Sequence, residues 1–337
     1  MREVLRFVAV VLSGLVGLIA TAWAAGALYF DLPVAWLRTP LALIYGLAML
    51  AALIFVRGRR RALGVVAAGF VVVLAWWCTI KPSNEGNWQP DVAQLAWAEV
   101  NGDEVTLHNV RNCDYRTETD YDARWETRTV RISQITGADM AINYWGSPWI
   151  AHPIVSFQFA DAAPLCFSIE TRKQAGQSYS AIRGLYRQFG LIYVVADERD
   201  VIRLRTNYRH GEDIYLYRTT ITPAQARERF HEYLRSLNEI RDHPRWYNAI
   251  TTNCTTSIRD QHPVAERIPW DWRILLNGKG DELMFEQHTI VTAGLPFSEL
   301  KARSLIDARA QAADAAPNFS ELIRVDLPGA KHQTGDN

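Results

Sequence analysis

The chain has 337 residues, balances 36 Lys and Arg against 36 Asp and Glu, and is 49% apolar, which excludes charge-driven disorder and fibrous or disulfide-dense classes. The charge is unevenly spread: residues 1–80 hold seven Arg and two acidic residues, a net of +5, which leaves −5 for residues 81–337. An acidic remainder with no Lys/Arg-rich face excludes nucleic acid as a partner.

Residues 7–30, 39–56 and 62–80 contain no charged side chain. Each is long enough for a helix to cross a hydrocarbon core about 30 Å thick. The sequence therefore predicts a three-helix transmembrane anchor over residues 1–80. Loops on the cytoplasmic side carry excess Lys and Arg, so Arg2, Arg6 and the run Arg57 to Arg61 belong inside. The loop from Asp31 to Arg38 and everything after Ile80 then lie outside, with Trp76 and Trp77 in the outer aromatic belt. "AWA" at 22–24 could also be a signal-peptidase site, and cleavage there would leave the same topology.

Residues 81–92, "KPSNEGNWQPDV", are polar, contain two prolines and read as a linker. A domain is expected over 93–314. Its first signal is a hairpin about Asn101-Gly102, followed by a strand at 128–133. A second hairpin pairs 152–159 with 164–171, and "GLIYVVAD" and "DIYLYRTT" read as a further pair of strands. Thr222, Pro223 and Gln225 have the form of a capping box, so a helix runs from there to about Arg241 and buries Phe230, Leu234 and Leu237. His231 and Tyr233 fall on its solvated or partly packed faces. A short helix starts at Asn253 or Cys254, a last one covers about 297–314, and 315–337 is a loose tail. The fold class is α+β, an antiparallel sheet with packed helices.

Four cysteines are present, and Cys78 falls within the third span. Cys113, Cys166 and Cys254 then share an oxidising compartment, where at most two can pair. Cys113 with Cys166 is the candidate disulfide. Cys254 is a packed small side chain, half of a bridge, or a nucleophile: a helix start beside an imidazole would lower its pKa, and first-turn N–H groups could hold an oxyanion. His152, which opens its strand, is the candidate base. The returning strand brings Glu170 or Thr171 opposite or diagonal to it, where a carboxylate could orient the ring. The alternative for His152 is a surface histidine at a strand end. The cysteines and histidines lack metal-ligand spacing, so no metal and no cofactor are expected.

In this order, "WIAHPIVSFQF", "LCFSIETRK", "VVADERDVIRLRTNYR", "DIYLYR" and "WYNAITTNCTTSIR" resemble the Lnb-like periplasmic domain family, over about residues 90–265. The family is named for the lipoprotein intramolecular transacylase and is similar to permuted papain-like enzymes. The resemblance implies a permuted papain-like fold in which His152, Glu170 and Cys254 form the catalytic set. It further implies a bacterial inner-membrane, multi-pass protein with a periplasmic cysteine acyltransferase domain. Its partners would be membrane lipids and a lipoprotein or other acyl-lipid substrate. Arg111, Asn112 and Arg172, with Tyr247 and Asn253 beside the cysteine, are the candidate substrate contacts. A solvated or salt-bridged strand face explains the first three equally well. A cysteine amidase or peptidase needs the same residues but a polar cleft, and a non-catalytic envelope binding module needs none of them.

Overall fold

The three charge-free runs form the helices α1 (Arg2–Asp31), α2 (Ala35–Phe55) and α3 (Arg59–Thr79), each long and apolar enough to cross a membrane. Leu12, Ile19, Leu47, Phe55 and Val72 are exposed, as side chains facing lipid are and those of a water-soluble bundle are not. The computed structural model, which describes residues 1–262, 267 and 269–329, divides into two units. The first comprises Met1–Ser83, Ser178–Gly190 and Trp246–Ala249. At one end of its helices the Arg59 guanidinium meets the Ala9 carbonyl and the Ser13 hydroxyl. At the other end Asp31 accepts from Trp77 Nε1 at 2.7 Å and from Gln188 Nε2 at 2.7 Å. Tyr186 packs there among Ala24, Ala27 and Val73.

The second unit comprises Asn84–Gln177, Leu191–Arg245 and the chain from Ile250. Its strands are β1 (Trp97–Asn101), β2 (Glu104–Arg111), the short ladder of β3 (Asp114–Tyr115) and β4 (Tyr121–Asp122), β5 (Trp125–Arg131), β6 (Ile135–Trp145), β7 (Ala151–Phe159), β8 (Leu165–Arg172), β9 (Gly190–Ala196) and, after helix α4 (Glu198–Arg203), β10 (Glu212–Arg218). Helices α5 (Pro223–Asp242), α6 (Cys254–Asp260), α7 (Gly280–Glu286), α8 (Phe297–Ser304), α9 (Asp307–Ala312) and α10 (Phe319–Leu322) follow. The main sheet runs β1-β2-β9-β8-β7-β6-β10, with β5 also on β2; the β1–β2, β2–β5, β6–β7, β7–β8 and β6–β10 pairs are antiparallel and β9 meets β2 in parallel. The α+β class is as expected.

The expected first hairpin forms, with Asn101 opposite Glu104 and Gly102 at φ 62°, a conformation glycine adopts without a Cβ penalty. The second hairpin places Ile154 opposite Ser168. Both strands of the further pair form, but apart: β10 lies at the sheet edge against β6, while β9 sits between β2 and β8. Strand β6 was not expected, because Asp139 and Asn143 interrupt its apolar pattern. Both are buried beside charged partners, Asp139 with Arg324 at 2.9 Å and Asn143 with Glu212 at 2.7 Å.

Period-2 alternation gives β7 two buried faces, each covered by helices. Ile154 packs with Val201 and Ile202 of α4, Ile306, Ala310 and Phe319. On the opposite face Phe157 packs on Phe230 and Tyr233 of α5 at ring separations of 5.1 and 5.7 Å. The Thr222 capping box forms as expected, and Phe230, Leu234 and Leu237 are buried; Tyr233, expected to be no more than partly packed, is buried too.

Two boundaries differ from expectation. The stretch from Asn84, read as part of a linker, is held by Arg172, which donates to Val92 O at 3.0 Å and to Ala93 O at 2.7 Å and lies 4.4 Å over the Trp88 ring. In the supposed tail, Phe319, Ile323 and Leu327 join the α4-side core. The expected last helix divides into α8 and α9 at Leu305, which bridges Tyr215 of β10. Residues 330–337 of that tail lie outside the described residues.

Candidate functional site

Cys254 is the first residue of α6, as the sequence predicts. Asn253 caps the helix: its Oδ1 accepts from the amides of Thr255 at 3.0 Å and Thr256 at 2.9 Å, and the Thr256 hydroxyl accepts from the Asn253 amide in return. The cap fixes the cysteine's position but occupies two of the first-turn donors that the sequence reading assigned to an oxyanion. Cys254 is buried, with Thr255 Oγ1 at 3.8 Å and Asn277 Nδ2 at 3.6 Å from its sulfur. All four cysteines are free, so the candidate bridge between Cys113 and Cys166 is not formed; the two lie in separate clusters.

On β7 and β8 a second group assembles. Extending the register from Ile154↔Ser168 by two residues sets Glu170 opposite His152. His152 Nε2 lies 2.7 Å from Ser168 Oγ and 3.9 Å from Glu170 Oε1. Ser168 donates to Glu170 Oε1 at 2.7 Å, and Arg205 pairs with the same oxygen at 3.0 Å. Ser168 and Arg205 were not anticipated. The first was within reach, since it lies two residues before Glu170 and so shares its strand face.

The two groups approach from opposite faces of the sheet. His152 shares the α4-side face with Ile154, whereas Thr255 and Ile258 of α6 share a cavity with Pro153, Val155 and Phe157. Helix α6 touches both β7 and β8, and the side chain of Asn277 spans the remaining gap. Its Oδ1 accepts from the amide of Ala151, next to His152, at 2.9 Å, while its Nδ2 faces the cysteine sulfur. Among the described residues no hydrogen bond joins the sulfur directly to the imidazole.

Electrostatics describe an uncharged resting pair. Burial pushes the Cys254 thiol up to about 11, with Glu170 adding to the effect and the Thr255 hydroxyl and the Thr255 and Cys254 amides opposing it. Burial also pulls His152 down to about 4, against the attraction of Glu170. Glu170 is held well below the usual carboxylate range: Arg205, His152 and Arg111 outweigh the effect of its burial. At neutral pH the site therefore holds a thiol and a neutral imidazole. Since only the thiolate reacts with iodoacetamide, alkylation of Cys254 should rise about tenfold per pH unit from pH 7 to 10 and level off near 11. A rate already on a plateau at pH 7 would instead reveal a thiolate–imidazolium pair.

A cavity of about 210 Å³ counts Thr255 and Asn277 among its lining residues. It runs between the sheet and helices α5 to α7, and its exposed wall is overwhelmingly apolar, from Met140, Val155, Phe157, Tyr233, Leu283 and Met284. An apolar cavity of about 150 Å³ is large enough to bind benzene, so this one can hold a hydrocarbon segment.

The other anticipated residues lie elsewhere. Arg111 is 1% exposed and donates to Asp200 through Nε at 3.0 Å and Nη2 at 2.7 Å, so it is an internal ion pair. Arg172 is the buried clamp on residues 84–93 described above. Asn112 donates to Glu126 Oε2 at 3.2 Å beside that strand. Tyr247 is buried in the first unit, where its amide donates to Phe189 O at 2.9 Å.

No curated protein and no solved structure matches the chain. Residues 121–278 match the family model of the Lnb N-terminal periplasmic domain, the family the sequence resembles, and that span holds His152, Glu170, Cys254 and Asn277.

Proposed function

We propose that the second unit is a cysteine acyltransferase that takes an acyl chain from a membrane lipid or lipoprotein ester and carries it as a thioester on Cys254. Three apolar helices followed by a periplasmic domain family fit a membrane-anchored protein with its folded domain in the periplasm. The permuted papain-like order, histidine strand first and cysteine helix last, supports this reading. The observation that carries it is the apolar cavity lined in part by Thr255 and Asn277, the two side chains that touch the sulfur. A polar peptide would leave its hydrogen-bonding groups unpaired there, whereas an acyl chain would not.

The reaction requires the imidazole and the thiol to come within proton-transfer range, since they are not hydrogen-bonded at rest. His152 takes the thiol proton as the sulfur attacks the ester carbonyl. The S–C bond forms, the carbonyl electron pair moves to oxygen, and collapse expels the alcohol, which takes the proton from His152. Ser168 and Glu170 hold the ring through Nε2 meanwhile, leaving Nδ1 as the basic nitrogen. In the second half an amine or water attacks the thioester, loses its proton to His152 and returns Cys254 to the thiol. A membrane anchor on the same chain favours encounter with a substrate that stays in the membrane.

Mass spectrometry of lipoprotein N-termini from cells carrying wild-type chain or Cys254→Ser tests the reading. Loss of one acylated form in the variant supports it. Unchanged lipoproteins with altered muropeptides would replace it with an amidase.

A further inference from the structure

We propose that the side-chain amide of Asn277 supplies an oxyanion donor for the reaction at Cys254, an inference that rests on the nucleophile reading above. A tetrahedral intermediate on the sulfur needs hydrogen-bond donors aimed at the oxygen that receives the carbonyl electron pair. The amides of Thr255 and Thr256, in the first turn of α6, are already committed to Asn253 Oδ1 at 3.0 and 2.9 Å. Of the first-turn amides this leaves that of Cys254 itself, and beside it Asn277 brings a neutral side-chain amide to within 3.6 Å of the sulfur.

An asparagine amide carries two N–H donors and a carbonyl acceptor. In Asn277 the acceptor is used by the Ala151 amide at 2.9 Å. Nδ2 lies 2.9 Å from Thr255 Oγ1, which takes one N–H. The same nitrogen is 3.6 Å from Cys254 Sγ, a weak acceptor that an oxyanion on the adjoining carbon would outcompete. Two side-chain contacts thus lock the group before substrate arrives, which is the preorganisation that makes such donors effective.

The backbone is locked as well. The Gly278 amide donates to Trp149 O at 3.0 Å, and Gly278 O accepts from Tyr144 at 3.0 Å. A Cβ at 278 would sit 2.3 Å from the Trp149 carbonyl carbon, so this turn takes only glycine. As the S–C bond forms and the thiol proton passes to His152, the Asn277 N–H donates to the new oxyanion. It returns to the sulfur when the C–O bond breaks and the thioester carbonyl is restored.

The full chain in detergent, acylated by a p-nitrophenyl ester of a medium-chain fatty acid, provides the test. Iodoacetamide serves as the control, because displacement of iodide generates no oxyanion. Asn277→Ala should lower the acylation rate constant about 10²- to 10³-fold at nearly unchanged KM. Its alkylation rate at the same pH should stay within about twofold of wild type, since no donor is needed there. Asn277→Asp, which keeps the acceptor for Ala151 and removes the donors, should lose acylation at least as far and guards against misfolding of the alanine variant. Acylation by Asn277→Ala within about threefold of wild type, with Cys254→Ala inactive, would overturn this role alone. Equal falls in acylation and alkylation would make Asn277 a positioning residue and also overturn it. Wild-type acylation by Cys254→Ala would overturn the nucleophile reading itself.

Discussion

Alanine at position 152 is expected to slow thioester formation at Cys254 by about 10²- to 10⁴-fold, the contribution of a positioned general base. With the thiol near 11, only about one molecule in 10⁴ carries a thiolate at pH 7, so the reaction depends on a base acting in the complex. His152, with a pKa near 4, is already neutral and able to accept the proton. The sign follows: acid should abolish acylation only as pH falls through about 4, where the imidazole becomes charged. Pre-steady-state release of p-nitrophenolate measures the step. A rate in His152→Ala within about threefold of wild type would remove the histidine from the mechanism.

Arg111→Met should destabilise the second unit by about 3–5 kcal/mol, because it leaves the Asp200 carboxylate buried without its countercharge. The pair is inaccessible to solvent: Arg111 is 1% exposed and Asp200 0%, and Asp200 also accepts from the Cys113 amide at 2.7 Å. Replacing both partners, Arg111→Met with Asp200→Leu, should recover only part of the loss, since it removes the unpaired charge but leaves the Cys113 amide without its acceptor. Urea unfolding followed by tryptophan fluorescence would show this as a lower midpoint at unchanged slope for the single variant. If the single variant unfolds like wild type and weakens substrate binding instead, Arg111 is a substrate contact.

Local chemistry carried much of the fold. The capping box at Thr222, the turn at Asn101-Gly102 and the helix start at Cys254 each depend on a few neighbouring residues, and each forms where the sequence places it. The pairing of His152 with Glu170 was readable because two strands joined by a short turn have a register that can be counted. What escaped depends on partners distant in the chain. Strand β6 carries Asp139, which only becomes a reasonable core residue once Arg324, 185 positions later, is beside it. Asn277 gives no local signal, since its neighbours Ala151 and Cys254 are 126 and 23 residues away. The C-terminal segment was an oversight of a different kind: Phe319, Leu322, Ile323 and Leu327 keep a helical apolar spacing that short prolyl and polar runs obscure.

The account stands on covalent chemistry at one sulfur. Incubating the full chain with an activated long-chain acyl ester, digesting it and reading the peptides by mass spectrometry tests that directly. The acyl mass should appear on the peptide containing Cys254, be released by neutral hydroxylamine as thioesters are, and be absent from Cys254→Ala. Turnover of the ester with the acyl group on another residue, or no adduct on a properly folded chain, would contradict it.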